Sequence, residues 1–464
     1  MKIRATTKDA YRLLHEGTLV MAELEANGIR VDMKYTKQIQ KKITKQIKHL
    51  TEQIKSDKIF KQWKKKYHVN TNLQSRAQLA DVLFNVMEYP CEGIQEGKTR
   101  VSADADALEG VNIPFVKRYI EIEKLKKANG TYIKNILRET GTDGIMHPNF
   151  SLHLARTYRG QSDHPNFTNI PVRDPLIKKL IRRCFIPRSG NRIVDADFKG
   201  SEVNAAAWYH QDPVMLKYIK TNPGRMHTDA ARKIYMLPKK PKIPDEIRYC
   251  GKNMFIFPQF YGDWWMSCAK SLWQAIDRLN LKTADGMPLR KWLKKQGIVS
   301  LGSGNPKDVR HNTFEYHIKQ YENYFWNKQF KVYKQWKDDW WEDYQETGFI
   351  RFLTGFVVDG YLDRKQCINY PIQGTAFHCL LWCLIRISQL LKKYRMKTML
   401  IGQIHDDIVS DTPDKELKNY LEIAMHVITV ELKKHWSFIT TPMQVEIEVT
   451  PINRSWYEKK EYVF

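Results

Sequence analysis

Gln403-Ile404-His405-Asp406-Asp407-Ile408-Val409 is the stretch whose reading decides the fold. Apolar, β-branched runs flank two adjacent carboxylates, which reads as strand, tight turn, strand with both acids at the turn. Carboxylates at a rigid hairpin tip suit Mg²⁺, a hard cation that takes oxygen ligands. A solvated acidic turn would look the same in isolation. A second acidic strand end, Arg192-Ile193-Val194-Asp195-Ala196-Asp197-Phe198, changes the balance, because two distant strands that each end in Asp can build one shared metal site. Alternation puts Ile193, Asp195 and Asp197 on one face. A helix then starts at Ser201, capped near Gly200 or Ser201, so Glu202 falls one turn past Asp197.

The 464 residues are 42% hydrophobic and carry 76 Lys and Arg against 51 Asp and Glu, a formal charge of +25. That length allows several packed lobes. The positive surplus favours a polyanionic partner over an inert basic surface. Seven cysteines without a C-x-x-C pair give no zinc or disulfide framework and fit a reducing compartment. Cys379 and Cys383, one helical turn apart, read as core. The N-terminus lacks the apolar run of a signal peptide. The most apolar helix, His378 to Leu391, is interrupted by Arg386 and Ser388 and reads as a buried helix, so no membrane partner is expected. A cytoplasmic location is expected.

The chain to about residue 150 reads as helical. Residues 16–32 form an amphipathic helix through Leu19, Val20, Met21, Leu24 and Ile29, ending near Asn27-Gly28. A long Lys-rich helical pattern covers 34–66, and further helices cover 79–87 and 116–137. Strand patterns lie at 183–187, 192–197, 398–404, 407–411 and 444–450. Helical patterns fill most of 201–296 and 313–346, and 297–312 reads as a loop. One α+β domain with a discontinuous sheet, interrupted by a helical insertion, accounts for this order.

Three more constellations carry chemistry. In Arg248 to Gly262, Arg248 and Lys252 share a helix face and precede Phe255, Phe257, Phe260 and Tyr261, a plausible platform of cations and rings for a nucleotide. Pro258 inside this helix removes a backbone hydrogen bond and should kink or widen the turn. Arg156 to Arg159, with Pro165 to Pro171, offers Arg and Asn side chains that can reach sugars and minor-groove acceptors. Asn369 to Ala376 reads as a loop entering the buried helix.

In this order the segments resemble family A DNA polymerases, over about residues 20 to 460. Asp197-Phe198-Lys199-Gly200-Ser201-Glu202 is similar to motif A, Arg248 to Gly262 to motif B, and His405-Asp406-Asp407 to motif C. Asn169-Ile170-Pro171, Pro371 to Ala376, Lys124 to Lys126 with Gly130 to Tyr132, and Val445 to Val449 with Trp456 resemble further family signatures. The resemblance implies an α+β right-hand fold with an antiparallel palm sheet and largely helical thumb and fingers. It divides the chain into an N-terminal palm-associated helix (1–35), thumb (36–150), first palm part (151–205), fingers (206–365) and second palm part (366–464).

The resemblance also implies roles. Asp197 and Asp406 would ligate two Mg²⁺ ions (Mn²⁺ substituting) with help from the Phe198 carbonyl, and Asp407 would help organise the site. Arg248 and Lys252 would hold the triphosphate, with Lys252 protonating the leaving group. Glu202 would exclude a ribose 2′-hydroxyl, and Tyr261 would shape the templating-base position. His405, Arg159, Arg364, Asn369 and Gln373 would read the primer terminus and the nascent pair. Asn166, Asn169 and Lys126 would contact DNA. Primer-template DNA and dNTPs are the implied partners, with a separate exonuclease or processivity chain.

Departures from the family pattern sharpen these expectations. The Lys252 to Tyr261-Gly262 interval is one residue longer than usual, so Ile256 or Phe257 packs on the incoming nucleotide; Phe257 is favoured because stacking needs an aromatic face. Asp407 stands where the family has Glu, and Asp195 is an extra acid, read as a neighbour of the site. A Lys-rich excess at about 280–315 is expected as a surface elaboration of the fingers. Only about 18 residues precede the polymerase-like part and no acidic exonuclease cluster is present, so no 3′–5′ exonuclease activity is expected. The motif B wording is phage-like. An RNA polymerase or reverse transcriptase is opposed by Glu202 at the gate. A catalytically inactive nucleic-acid-binding subunit is opposed by the joint presence of Asp197, Asp406, Arg248 and Lys252.

Overall fold

In the computed structural model, residues 5–89, 108, 111–172 and 174–463 are described. Five antiparallel strands form the central sheet, in the order Lys460–Glu461, Val445–Val449, Asn191–Phe198, Asp407–Pro413, Met399–Ile404. The middle strand is buried without a break from Ile193 to Ala196, the pattern of a strand covered on both faces. Its register sets Asp197 opposite Asp407 on one side and opposite Glu446 on the other. More than 200 residues of mostly helical chain separate the middle strand from its neighbours, as the discontinuous pattern implies.

The Thr7–Asn27 helix packs on both the Met399–Ile404 strand and the long helix Arg364–Lys393. It starts at a Thr6–Asp9 capping box, earlier than the apolar pattern implies, and stops at Gly28. Gly28 has φ +57°, and a Cβ there would sit 2.5 Å from the Ile145 side chain, so glycine is required. Val20, Met21, Leu24 and Ile29 are buried as expected, whereas Leu19 is exposed.

Three expected elements differ. Residues 183–187 are no strand: the Pro175–Arg182 helix ends just before, and Phe185 makes only an isolated bridge to Val31. The 34–66 pattern is two helices, Met33–Ser56 and Lys58–Tyr67, because Asp57 caps the second through Ile59 N–H (3.0 Å). Asn369 to Ala376 is helix, continuous with Arg364–Lys393 despite Pro371. Pro371 has no N–H for the Cys367 carbonyl four residues earlier. Trp340 Nε1 donates to that carbonyl instead, at 3.1 Å. This helix is long and apolar enough to cross a membrane, but 83% of its most apolar window is buried in the protein, as in a core helix.

The 280–315 segment is folded. Leu289 and Leu293 of the Leu289–Lys295 helix are buried, Trp292 Nε1 donates to the Tyr235 carbonyl (3.0 Å), and buried Glu315 accepts from Gly304 N–H (3.1 Å). Residues 297–312 hold no helix or strand. The six described cysteines are free and buried, Cys379 and Cys383 among them; Cys91 lies outside the described residues.

Candidate active site

The sheet register builds one wall of a cleft of about 830 Å³. Phe198 N–H donates to the Asp406 carbonyl (3.2 Å) and Lys199 N–H to the Gln444 carbonyl (2.9 Å). These bonds seat the end of one strand against the His405–Asp406 turn. His405 takes φ +50°, and its carbonyl accepts from Gln403 Nε2 at 2.6 Å. The Asp406 carboxylate accepts from Ser201 Oγ at 2.6 Å. Asp197 opens to the cleft. The concave wall still strips it of bulk water, and with the negative charges of Asp406 and Glu446 this pushes its carboxyl up to about 6. Burial, then Asp195 and Asp197, push the Asp407 carboxyl up as well.

Asp195 has a different environment. It is buried, accepts from Trp456 Nε1 at 3.0 Å, and pairs with Lys459, which also reaches Glu448 at 2.5 Å. It is an anchor for the C-terminal strand beneath the site.

The facing wall carries the cations. Arg248 lies on the Asp245–Gly251 helix, and the next segment, Lys252–Ile256, is a π-helical turn. A π turn is how a helix absorbs one extra residue, which accounts for the long Lys252-to-Tyr261 interval. Pro258 follows in the first turn of the short helix Phe257–Phe260, where a missing N–H costs little. After the turn, Phe257 lines the cleft while Ile256 is fully buried. The Lys252 ammonium is 5.2 Å from the Phe257 ring centre. Burial and then Arg248 push the Lys252 ammonium down from its ordinary value, while Asp197 opposes the shift.

Glu202 is clasped at the cleft mouth. Arg159 Nη1 donates to it at 3.3 Å, and the Tyr261 hydroxyl donates to its other oxygen. Asn369 Nδ2 reaches the Tyr261 carbonyl at 3.4 Å.

Eleven of the expected site residues therefore line one cleft: Asp197, Phe198, Asp406 and His405; Arg248, Lys252, Phe257 and Tyr261; Glu202, Arg159 and Asn369. Six do not. Asp407 sits across the ladder from Asp197. The Asn166 carboxamide caps Phe167–Asn169, accepting from Asn169 N–H at 3.1 Å, and Asn169 is exposed on that turn. Arg364 pairs with Asp338. Gln373 is half-buried in the long helix, and Lys126 pairs with Glu123 at 3.4 Å on the Pro114–Lys127 helix.

Among the other residues that line the cleft, Glu446, Ser201 and His227 bear on its chemistry. Glu446 was legible in the alternation of Val445 to Val449, which puts Glu446 and Glu448 on one face. Ser201 was read only as a cap. His227, at 5.9 Å edge-on to Phe257, has a ring pushed down to about 4 by burial, Lys252 and Arg248; nothing in its local sequence marks it.

The strand-end carboxylates Asp197 and Asp406 offer hard oxygen donors to the cleft. No group of three or more His, Cys, Asp or Glu side chains that could hold a metal ion is present among the described residues.

Comparison with known proteins follows the same outline. The profile of DNA polymerase family A matches residues 33–283 and 357–458. The chain is 23% identical over 455 residues to DNA polymerase I of Lactococcus lactis subsp. cremoris, covering 95% of this chain and 45% of that protein. It is 24% identical over 458 residues to the thermostable DNA polymerase I of Thermus aquaticus, covering 95% and 47%. The chain thus spans about half the length of the curated relatives it matches. The POL domain of Pol1 from M. smegmatis, solved in complex with DNA primer-template and dNTP, has the same fold, with a TM-score of 0.73 and 21% identity over 96% of this chain and 70% of that one. Its likeness extends the right-hand architecture, antiparallel palm sheet included, to this protein. With the profile matching well over half of its residues, the chain belongs to DNA polymerase family A.

Proposed function

We propose that the chain is a template-directed DNA polymerase that adds dNTPs to a primer 3′-hydroxyl. The observation that carries this reading is the juxtaposition of the two acidic strand ends, through Phe198 N–H to the Asp406 carbonyl, across one cleft from Arg248 and Lys252. Asp197 and Asp406 would hold Mg²⁺, with Mn²⁺ able to substitute; two such ions supply charge stabilisation to the attacking and leaving oxygens. The raised Asp197 carboxyl fits that use, since mutual repulsion of carboxylates is relieved by a cation.

The protein's own groups do the rest. Arg248 and Lys252 bind the triphosphate. Lys252, its ammonium made more acidic by burial and Arg248, gives its proton to the departing pyrophosphate. Phe257 packs on the base. Glu202, fixed by Arg159 and Tyr261, fills the space of a 2′-hydroxyl and selects deoxynucleotides. His405, Arg159 and Asn369 check the geometry of the nascent pair from the minor groove, where acceptors are similarly placed for every correct pair. Arg364, Gln373, Asn166, Asn169 and Lys126 lie outside the cleft and would contact the duplex. The lobes then follow as thumb (36–150), fingers (206–365) and a two-part palm.

Extension of a labelled primer on a defined template tests the reading. The wild type should extend with dNTPs far better than with rNTPs. Chelation of divalent ions, or Asp406→Ala, should stop extension. Equal extension by wild type and Asp406→Ala would overturn it.

A further inference from the structure

Gln259 is a polar residue in an apolar place. It is 1% exposed, and both ends of its carboxamide are engaged. Nε2 donates to the Glu322 carboxylate at 2.6 Å, and Oε1 accepts from Trp326 Nε1 at 2.7 Å. Glu322 belongs to the Phe314–Tyr324 helix and Trp326 to the π turn that follows it. Both fall in 284–356, the stretch that the family profile leaves unmatched. The Lys337 ammonium lies 3.2 Å from the Trp326 ring centre.

The position of Gln259 on its helix gives the contact a meaning. Phe257 and Tyr261 are four residues apart, so they share a face, the one toward the cleft. Gln259, midway between them, points about 200° away. The helix between has little hold of its own. It is four residues long, follows a π turn, and contains Pro258, which donates no backbone bond. Phe260 anchors it apolarly against Tyr333 (5.5 Å between ring centres) and Phe325 (6.0 Å). Apolar contact is non-directional and leaves rotation about the helix axis loosely set. Two hydrogen bonds of opposite polarity on one carboxamide are directional and set it.

We propose that Gln259 is a positioning residue for the nucleotide platform: through Glu322 and Trp326 it fixes the rotation of the Phe257–Phe260 helix, and so where the Phe257 ring stands. This rests on the polymerase reading above.

The test is single-nucleotide insertion by the full chain with Mg²⁺, using Gln259→Leu alone and combined with Phe257→Ala. Gln259→Leu should raise the KM for the correct dNTP about tenfold, with kcat within about threefold. Most of that rise should vanish in the Phe257→Ala background, because the group being positioned is gone. A general loosening of the fold would raise KM equally in both backgrounds, and that result, or an unchanged KM, overturns the proposal. If Gln259→Leu does not fold, Trp326→Phe, which removes one donor and keeps a ring, replaces it under the same two criteria. Failure of the unaltered chain to extend a primer would strike at the polymerase reading instead.

Discussion

The carboxylate wall and the nucleotide wall of the cleft are held by different kinds of interaction. Asp197 and Asp406 are set by backbone: a seven-pair ladder from Asn191↔Pro413 to Asp197↔Asp407, closed by Phe198 N–H on the Asp406 carbonyl. Phe257 and Tyr261 are set by side chains, beyond a π turn whose own ladder is irregular. A ladder admits no small adjustment, since a one-residue slip turns every side chain to the other face. A short helix tied by one carboxamide to Glu322 and Trp326 keeps its rotation and can move as a unit with the segment that carries them. The division suits the proposed chemistry: the acids must not move, while the platform must close on a correct pair and relax from a wrong one.

Deletions of one residue from each wall probe this contrast most severely. Removing Val194 should slip the strand register, carry Asp197 off the cleft face and abolish extension, a loss of about 10³-fold or more. Removing Asn253 should convert the π turn to ordinary helix, preserve the cooperative melt and raise the dNTP KM about tenfold. Equal collapse of both variants in melting and extension assays would erase the distinction.

Lys252→Met comes next. Loss of the proposed proton donor should lower kcat by about 10²–10³-fold in single-turnover kinetics, with binding of primer-template little changed.

A pair of neighbouring substitutions then separates packing from binding within the platform. Ile256→Ala should cost about 2–5 kcal/mol in denaturant unfolding, as for a filled core position, and leave the dNTP KM nearly unchanged. Phe257→Ala should do the reverse, with the KM up about tenfold. A larger KM effect at Ile256 would mean that the π turn does not select the ring.

The smallest effect is thermal. The folded Asp197 carboxyl, at about 6, binds its proton more tightly than the ordinary value of 3.8. Its contribution to metal-free stability is therefore full below about 3.8 and lost as pH rises through about 6. Added Mg²⁺ should raise Tm at pH 7.5, on the order of a degree or two, and by less at pH 5, where protons compete for the same oxygens. A larger rise at pH 5 would remove Asp197 from the metal site.

The palm sheet was legible because its strands alternate and are rich in Ile and Val: 192–197, 398–404, 407–411 and 444–450 each fall on an observed strand. So were the acids, whose place at strand ends is a local property. Reading failed where a distant residue decides. Pro371 signals a loop until Trp340, 31 residues earlier, satisfies the freed Cys367 carbonyl. The 183–187 run has strand composition but a single bridge partner. Asp57 ended a helix that its Lys-rich period would have continued. His227 and Gln259 carry no local signal, since each gains its role from a helix packed against it.

His405 sits at φ +50°, a conformation that costs a non-glycine residue about 1–3 kcal/mol. Glycine would adopt it freely. Directed evolution for heat tolerance alone would thus be drawn toward replacing the imidazole, gaining a hardier molecule that has lost a ring from the cleft wall. Any stabilisation campaign on this protein should hold that turn constant and harvest its degrees elsewhere.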